Sequence, residues 1–205
     1  MDSGFRRNDT VAMDASMSTA VPSPLTALTL CGSLRKSAYN RILQRYVSGK
    51  LREAGVAVTD IDLNDYALPL FNEDLEDNTP EAASALAKLF AAADIVFIAS
   101  PENNSGVTAA IKNTIDWVSR QKHGQWRHAV WGIGAVSSGK YGGVVGLSHL
   151  RDTLSKLGAL VVPTLLGIGP AEGAFDADGV PTEAGVRRKV DQMVRELTHF
   201  SRGGI

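Results

Sequence analysis

The stretch Gly32-Ser33-Leu34-Arg35-Lys36-Ser37-Ala38-Tyr39-Asn40 sets two hydroxyls (Ser33, Ser37), a guanidinium (Arg35) and an amide (Asn40) close together. Ile42, Leu43, Tyr46, Val47 and Leu51 follow at helical spacing, so the polar set falls at a helix N-terminus. Free N–H groups and the helix dipole there favour an anion, and the chemistry suits a terminal phosphate. The stretch has neither the G-x-G-x-x-G of a dinucleotide fold nor the G-x-x-x-x-G-K of a P-loop. A plainer reading stands beside this one: Ser37 caps the helix while Arg35 and Lys36 are merely solvated.

Two further loops carry similar potential. Ser100-Pro101-Glu102-Asn103-Asn104-Ser105-Gly106 follows an apolar run, and its small polar residues leave backbone N–H groups available to a planar polar ring. Ser137-Ser138-Gly139-Lys140-Tyr141-Gly142-Gly143 contains three glycines that permit close approach of a flat ligand, or simply make a flexible connection.

These loops need a frame. Leu25 to Cys31 and Asp94 to Ser100 are short apolar runs, the second apolar enough for a central parallel strand covered on both faces. Val56 to Leu63 alternates as a strand does, and Ala129 to Val136 and Leu160 to Pro163 complete a set of five. Helical patterns separate them: the one after Asn40, one capped by Thr79 with Pro80 at its first position, Val107 to Arg120, Gly142 to Leu157, and about Thr182 to Phe200. Strand and helix in alternation predict right-handed crossovers and a doubly wound five-stranded parallel sheet, order 2-1-3-4-5, with helices on both faces. Ligands bind such sheets at the carboxyl ends of the strands, which directs attention to the loops after the first, third and fourth strands.

Taken together, Gly32-Ser33-Leu34-Arg35 with Ser37 and Asn40, Pro101-Glu102-x-Asn104 followed by Lys112-Asn113 and Asp116-Trp117, and the glycine-rich loop ending Gly142-Gly143 resemble the NADPH-dependent FMN reductase family, which includes quinone, azo-dye and chromate reductases. The resemblance runs from Leu25 to about Pro163 and takes in Leu68-Pro69-Leu70-Phe71 and the acidic Glu73-Asp74. It implies a flavodoxin-like fold with FMN bound. Ser33, Arg35, Ser37 and Asn40 would take the phosphate; Pro101, Glu102, Asn103 and Asn104 would border the isoalloxazine; Ser137, Ser138, Gly139 and Gly142 would cover its pyrimidine side. The implied activity is a ping-pong transfer of hydride from NADPH, or NADH, to FMN and on to a small acceptor: a quinone, azo compound, metal oxyanion or free flavin. No protein nucleophile or general base is expected. The alternative is a flavin-binding electron carrier or a non-catalytic module of the same fold, but carrier flavodoxins are usually strongly acidic and this chain is near neutral. Two departures stand out: Asn103 where the family usually has Tyr, and Thr108-Ala109 where Pro-Gly is common. Losing an aromatic beside the ring removes stacking area, so looser FMN binding is expected. The resemblance also implies a homodimer or homotetramer, with Asp116, Arg120 and the segment around His149 and Arg151 as contacts.

Composition narrows the alternatives. The 205 residues carry 21 Lys and Arg against 22 Asp and Glu, a net charge of −1 without a basic stripe, which disfavours nucleic-acid and membrane-surface binding. No apolar run approaches the roughly 18 residues of a membrane span, and Cys31 is the single cysteine, so a cytoplasmic protein is expected. Residues 1–24 read as a disordered extension, with Met13 and Met17 as alternative starts, and 25–205 as one domain. Ser-x-x-Lys occurs at Ser33, Ser119 and Ser137 without the partners of serine acylation chemistry. His123 and His128 flank Trp126 without a nearby carboxylate or cysteine and read as surface residues rather than metal ligands. Cys31 and Trp117 read as core.

Overall fold

The computed structural model describes residues 23–121 and 126–201. The proposed extension falls on 1–24 and lies almost wholly outside the described residues, as does His123. In chain order the elements are β1 (Thr26–Cys31), α1 (Tyr39–Glu53), β2 (Ala57–Ile61), α2 (Glu81–Ala91), β3 (Ile95–Ala99), β4 (Glu102–Asn103), β5 (Gly106–Val107), α3 (Ala109–Ser119), β6 (Val130–Val136), α4 (Val144–Lys156), β7 (Leu160–Val161), β8 (Leu166–Ile168) and α5 (Ala184–Ser201).

The main sheet runs β2-β1-β3-β6-β7, parallel throughout, with β8 pairing the far end of β6. This is the doubly wound order expected, and the strand period of two assigns each residue to a face. Val96 and Ile98 of β3 and Trp131 and Ile133 of β6 pack toward α2, α3 and α4, while Ile95, Phe97 and Val130 pack toward α1 and α5. β1, β3 and β6 are buried nearly end to end because both faces are covered.

Local differences have local causes. The expected fifth strand, Leu160 to Pro163, is the two-residue β7, and after Val162 the chain leaves the ladder before β8 rejoins β6. The groups this frees are taken up elsewhere. Arg151 donates to the Val162 and Pro163 carbonyls at 2.8 and 3.2 Å, and Glu196 accepts from the N–H and hydroxyl of Thr164 at 3.0 and 2.7 Å. Thr79 does not cap α2: its hydroxyl donates to Glu76 O at 2.9 Å, closing the 3₁₀ turn Glu73–Asn78, and Pro80 takes the cap position. β4 and β5 form a hairpin that interrupts the expected start of the third helix, so α3 begins at Ala109.

The edge strand β2 carries an inward charge. Asp60 accepts from Thr29 of β1 and from Ser48 and Arg52 of α1, and buried Gln44 bridges the Thr29 and Ile61 carbonyls. A charge turned inward on an edge strand discourages pairing with another chain.

Candidate functional site

The loops after β1, β3 and β6 (loops 1, 2 and 3) converge at the carboxyl edge of the sheet, and single side chains tie them together. Asn40, 4 % exposed on the first turn of α1, donates its Nδ2 to Val136 O at 2.8 Å and accepts from Val136 N at 2.9 Å. That joins loop 1 to loop 3. The Glu102 carboxylate accepts from Gly146 N at 2.7 Å in the first turn of α4, where the helix dipole favours an anion, and so joins loop 2 to loop 3. Thr108 caps α3 through Ile111 N and donates to Gly32 O at 2.9 Å, joining the start of α3 to loop 1. The Thr108 departure from the usual Pro therefore has a defined role.

Loop 1 leaves its charged side chains without a partner among the described residues. α1 begins behind Ala38, and no side chain caps it. The reading in which Ser37 caps the helix is thereby overturned: Ala38 already holds the extended cap conformation, and Ser37 is exposed. Arg35 and Lys36 are exposed and form no ion pair among the described residues, and Ser33 is half-buried, with its hydroxyl accepting from Arg35 N at 3.3 Å. Asn40 differs from these three. Its amide atoms are engaged by Val136, which makes it a brace between loops.

Loop 2 is a tight hairpin. Asn104 and Ser105 have φ of 49° and 61° between the paired Asn103 and Gly106, the geometry of a two-residue type I′ turn. Asparagine enters this region more readily than most residues, and Asn104 was the available signal for a turn that periodicity does not reveal. Asn103 and Asn104 are exposed at its tip and Pro101 is half-buried at its base.

Loop 3 folds back on β8. Ser137 N donates to Ile168 O at 3.0 Å, and Gly142 N donates to Gly139 O at 3.1 Å. Gly142 has φ +63°, and a Cβ there would lie 2.3 Å from Ile168 N, so the close approach this glycine permits is to its own β8 backbone. Gly139 faces more open space, with Ser137 Oγ its nearest neighbour at 3.8 Å, and Ser138 is exposed. Tyr141 stands 74 % exposed with the Lys140 ammonium 5.5 Å from its ring centre.

Beside loop 1 lies a groove of about 280 Å³ lined by Leu34, Tyr66, Leu68, Leu70, Ala110 and Asn113, among others. Its wall is braced by Asn113, which holds Phe71 N and Pro69 O, and by Trp117, fully buried, which donates to Pro69 O at 2.8 Å and meets Phe71 edge-on. Trp117 is therefore core, as expected. Cys31 is also buried, and burial pushes its thiol above the usual range. Sequence reasoning passed over Arg41, Asp62 and Asn64, which grip loop 1 from outside it.

Residues 25–173 match the family described as NADPH-dependent FMN reductase. The chain belongs to this family. It is 31% identical over 176 residues to an NAD(P)H-dependent FMN reductase of Pseudomonas aeruginosa, covering 84% of this chain and 93% of that protein. It is 34% identical over 182 residues to a quinone reductase of Escherichia coli K12, covering 86% and 93%. Among solved structures, the flavoenzyme NAD(P)H:(acceptor) oxidoreductase FerB of Paracoccus denitrificans superposes with a TM-score of 0.76 at 26% identity, over 88% of this chain and 98% of that one. As a member of an FMN reductase family the protein is an oxidoreductase with FMN as cofactor and NAD(P)H as donor. Among the described residues, no helix is long and apolar enough to cross a membrane.

Proposed function

We propose that this family member binds FMN across the three loops and uses it to reduce a quinone-type acceptor at the expense of NADPH or NADH. The observation that carries the reading is the start of α1: a helix N-terminus capped by no side chain, with Ser33, Ser37 and the unpaired Arg35 around it. That donor set fits a dianionic phosphate, which charge-assisted hydrogen bonds from a guanidinium and backbone amides stabilise most.

When bound, FMN supplies the two-electron chemistry that links a nicotinamide to a second substrate. The chain's own part is binding and orientation. Ser33, Arg35 and Ser37 hold the phosphate; Asn40 fixes the angle between loops 1 and 3. Pro101, Glu102, Asn103 and Asn104 would border the ring; Glu102 is engaged in holding α4, and Asn103 and Asn104 are exposed at the hairpin tip. Ser137, Ser138, Gly139 and Gly142 close the pyrimidine side. One cleft serves donor and acceptor in turn, which gives ping-pong kinetics. The balanced reaction takes two electrons and two protons from NADPH and solvent to convert a quinone to its hydroquinone. The quinone class follows the names of the similar reductases and suits an open site lined by apolar Leu34 and Leu70.

An assembly of two or four copies in the cytoplasm belongs to the same reading. Leu70 is 81 % exposed beside the groove, apolar area that a second copy would cover. Of the contacts expected there, Arg120 is engaged by Glu73 and Glu76, Asp116 by Lys112, and Arg151 by its own chain's carbonyls.

The test is to saturate purified protein with FMN, remove oxygen, add NADPH and follow the visible flavin absorbance. Rapid bleaching, reversed by a quinone, is the expected result. FMN that binds but stays oxidised would instead make the protein a carrier, and failure to bind would remove the family chemistry altogether.

A further inference from the structure

Three consecutive carbonyl oxygens of loop 1 each accept a hydrogen bond from a side chain of a different part of the fold. Gly32 O takes Thr108 Oγ1 at 2.9 Å, Ser33 O takes Arg41 Nη2 at 3.3 Å, and Leu34 O takes Asn64 Nδ2 at 3.2 Å. In a trans peptide the N–H lies opposite the C=O. Anchoring these carbonyls to the scaffold therefore also sets the direction of the amides of Ser33, Leu34 and Arg35; Ser33 N donates to Cys31 Sγ at 3.4 Å and Arg35 N to Ser33 Oγ at 3.3 Å, both long contacts within the loop's own turn.

Asp62 is the hub of two of the three anchors. Its carboxylate pairs with Arg41 at 2.7 and 3.1 Å, and accepts from Asn64 N at 3.0 Å and Asn64 Nδ2 at 2.9 Å. Arg41 is only 11% exposed, and both its terminal nitrogens are engaged by protein oxygens. Arg35, by contrast, is exposed and unpaired. Two arginines six positions apart thus have opposite situations, one free to meet a ligand and one built into the frame.

We propose that Arg41, Asp62 and Asn64 are positioning residues that hold the backbone of loop 1 in the shape that receives a terminal phosphomonoester, an inference that rests on the phosphate reading of this loop. The presence of Asp62 is what makes the idea specific. A carboxylate close to a phosphate site is electrostatically unfavourable, so simple charge and positioning predict opposite signs for its removal.

The experiment measures dissociation constants for FMN and for riboflavin, which lacks the phosphate, by quenching of flavin fluorescence in the wild type, Asp62→Asn and Asn64→Ala. The ratio of the two constants isolates the phosphate contribution. Positioning predicts that each variant loses about tenfold of the preference for FMN, the size of one well-made charge-assisted contact, while riboflavin affinity changes little; the thermal midpoint falls in Asp62→Asn, which takes the counter-charge from the largely buried Arg41, and changes little in Asn64→Ala. Asn64→Ala alters no charge and keeps the test independent of Asp62→Asn. A preference unchanged in both variants, or raised in Asp62→Asn as charge alone predicts, overturns the proposal. A wild type that binds riboflavin as tightly as FMN overturns it by another route, because then the phosphate reading itself has failed.

Discussion

Asn40 and Val136 lie 96 positions apart in the chain and exchange both hydrogen bonds of an amide pair, as two strand residues would. The side chain of Asn40 in effect stands in for a strand residue beside Val136, the last residue of β6, and it locks loop 1 to loop 3. Asn40→Ala leaves a buried N–H and C=O without partners. The expected cost is about 2–6 kcal/mol for two groups at roughly 1–3 kcal/mol per unsatisfied group, read as a shift in the urea midpoint. Ser37→Ala, at an exposed position, is expected to change stability by less than about 0.5 kcal/mol. Equal effects for the two variants would show that Asn40 does not brace the two loops.

Arg35 has no structural duty among the described residues. Arg35→Ala is expected to leave the melting temperature unchanged and to weaken FMN binding by about 10- to 100-fold, the range of a hydrogen bond to a charged group. Near-normal FMN affinity would sink the assignment of phosphate binding to this loop.

Two glycines separate strain from space. Gly142→Ala would place a Cβ 2.3 Å from Ile168 N in a backbone held at φ +63°, so loop 3 must part from β8. Flavin affinity should fall along with stability, by several kcal/mol on the scale of overpacking plus backbone strain. Gly49, within α1, has nothing within 4 Å of its would-be Cβ, and Gly49→Ala should raise stability by about 0.5–1 kcal/mol. Denaturant titration of both decides the matter, and a destabilised Gly49→Ala would contradict the open space beside that helix position.

Asn103 stands exposed in the hairpin at the position where the family resemblance implies an aromatic ring. Asn103→Tyr is expected to tighten FMN binding severalfold by adding stacking area, about 0.5–1.5 kcal/mol for an aromatic pair. Fluorescence titration with FMN tests it, and no tightening would mean that the position does not meet the ring.

Acid should destabilise the fold through its paired carboxylates. Burial alone would raise the Asp60 carboxyl, but hydrogen bonds from Arg52, Ser48 and Thr29 outweigh it and hold it below the ordinary range; Asn64 and Arg41 do the same for Asp62, and Thr164 for Glu196. A group that binds its proton less readily when folded contributes fully above its unfolded pKa, about 4 for these residues. That contribution is lost as the pH falls toward the lower folded value. The urea midpoint should therefore hold from pH 7 to about pH 5 and drop below pH 4, and Asp60→Asn should flatten the drop. An identical acid slope in that variant would remove Asp60 from the account.

The order of the five main strands and five helices, their doubly wound topology and the three loops that meet at the carboxyl edge were legible along the chain, whereas the β4–β5 hairpin and β8 were not. The former are legible because burial on both faces imposes apolar runs on β1 and β3, because a helix repeats every 3.6 residues, and because loops advertise themselves by glycine, serine and proline. What each loop residue does emerged only on folding. Asn40 and Arg35 sit in one motif, yet folding sends one to Val136 and leaves the other free. Glu102 finds Gly146 across 44 positions, and Asp62 finds Arg41 across 21. The split of the last strand likewise depends on Arg151 and Glu196 coming from separate helices to satisfy the backbone around Pro163. Hydrogen bonds are short-ranged and directional, so their partners are chosen by how helices lie across the sheet, and no local pattern along the chain encodes that choice.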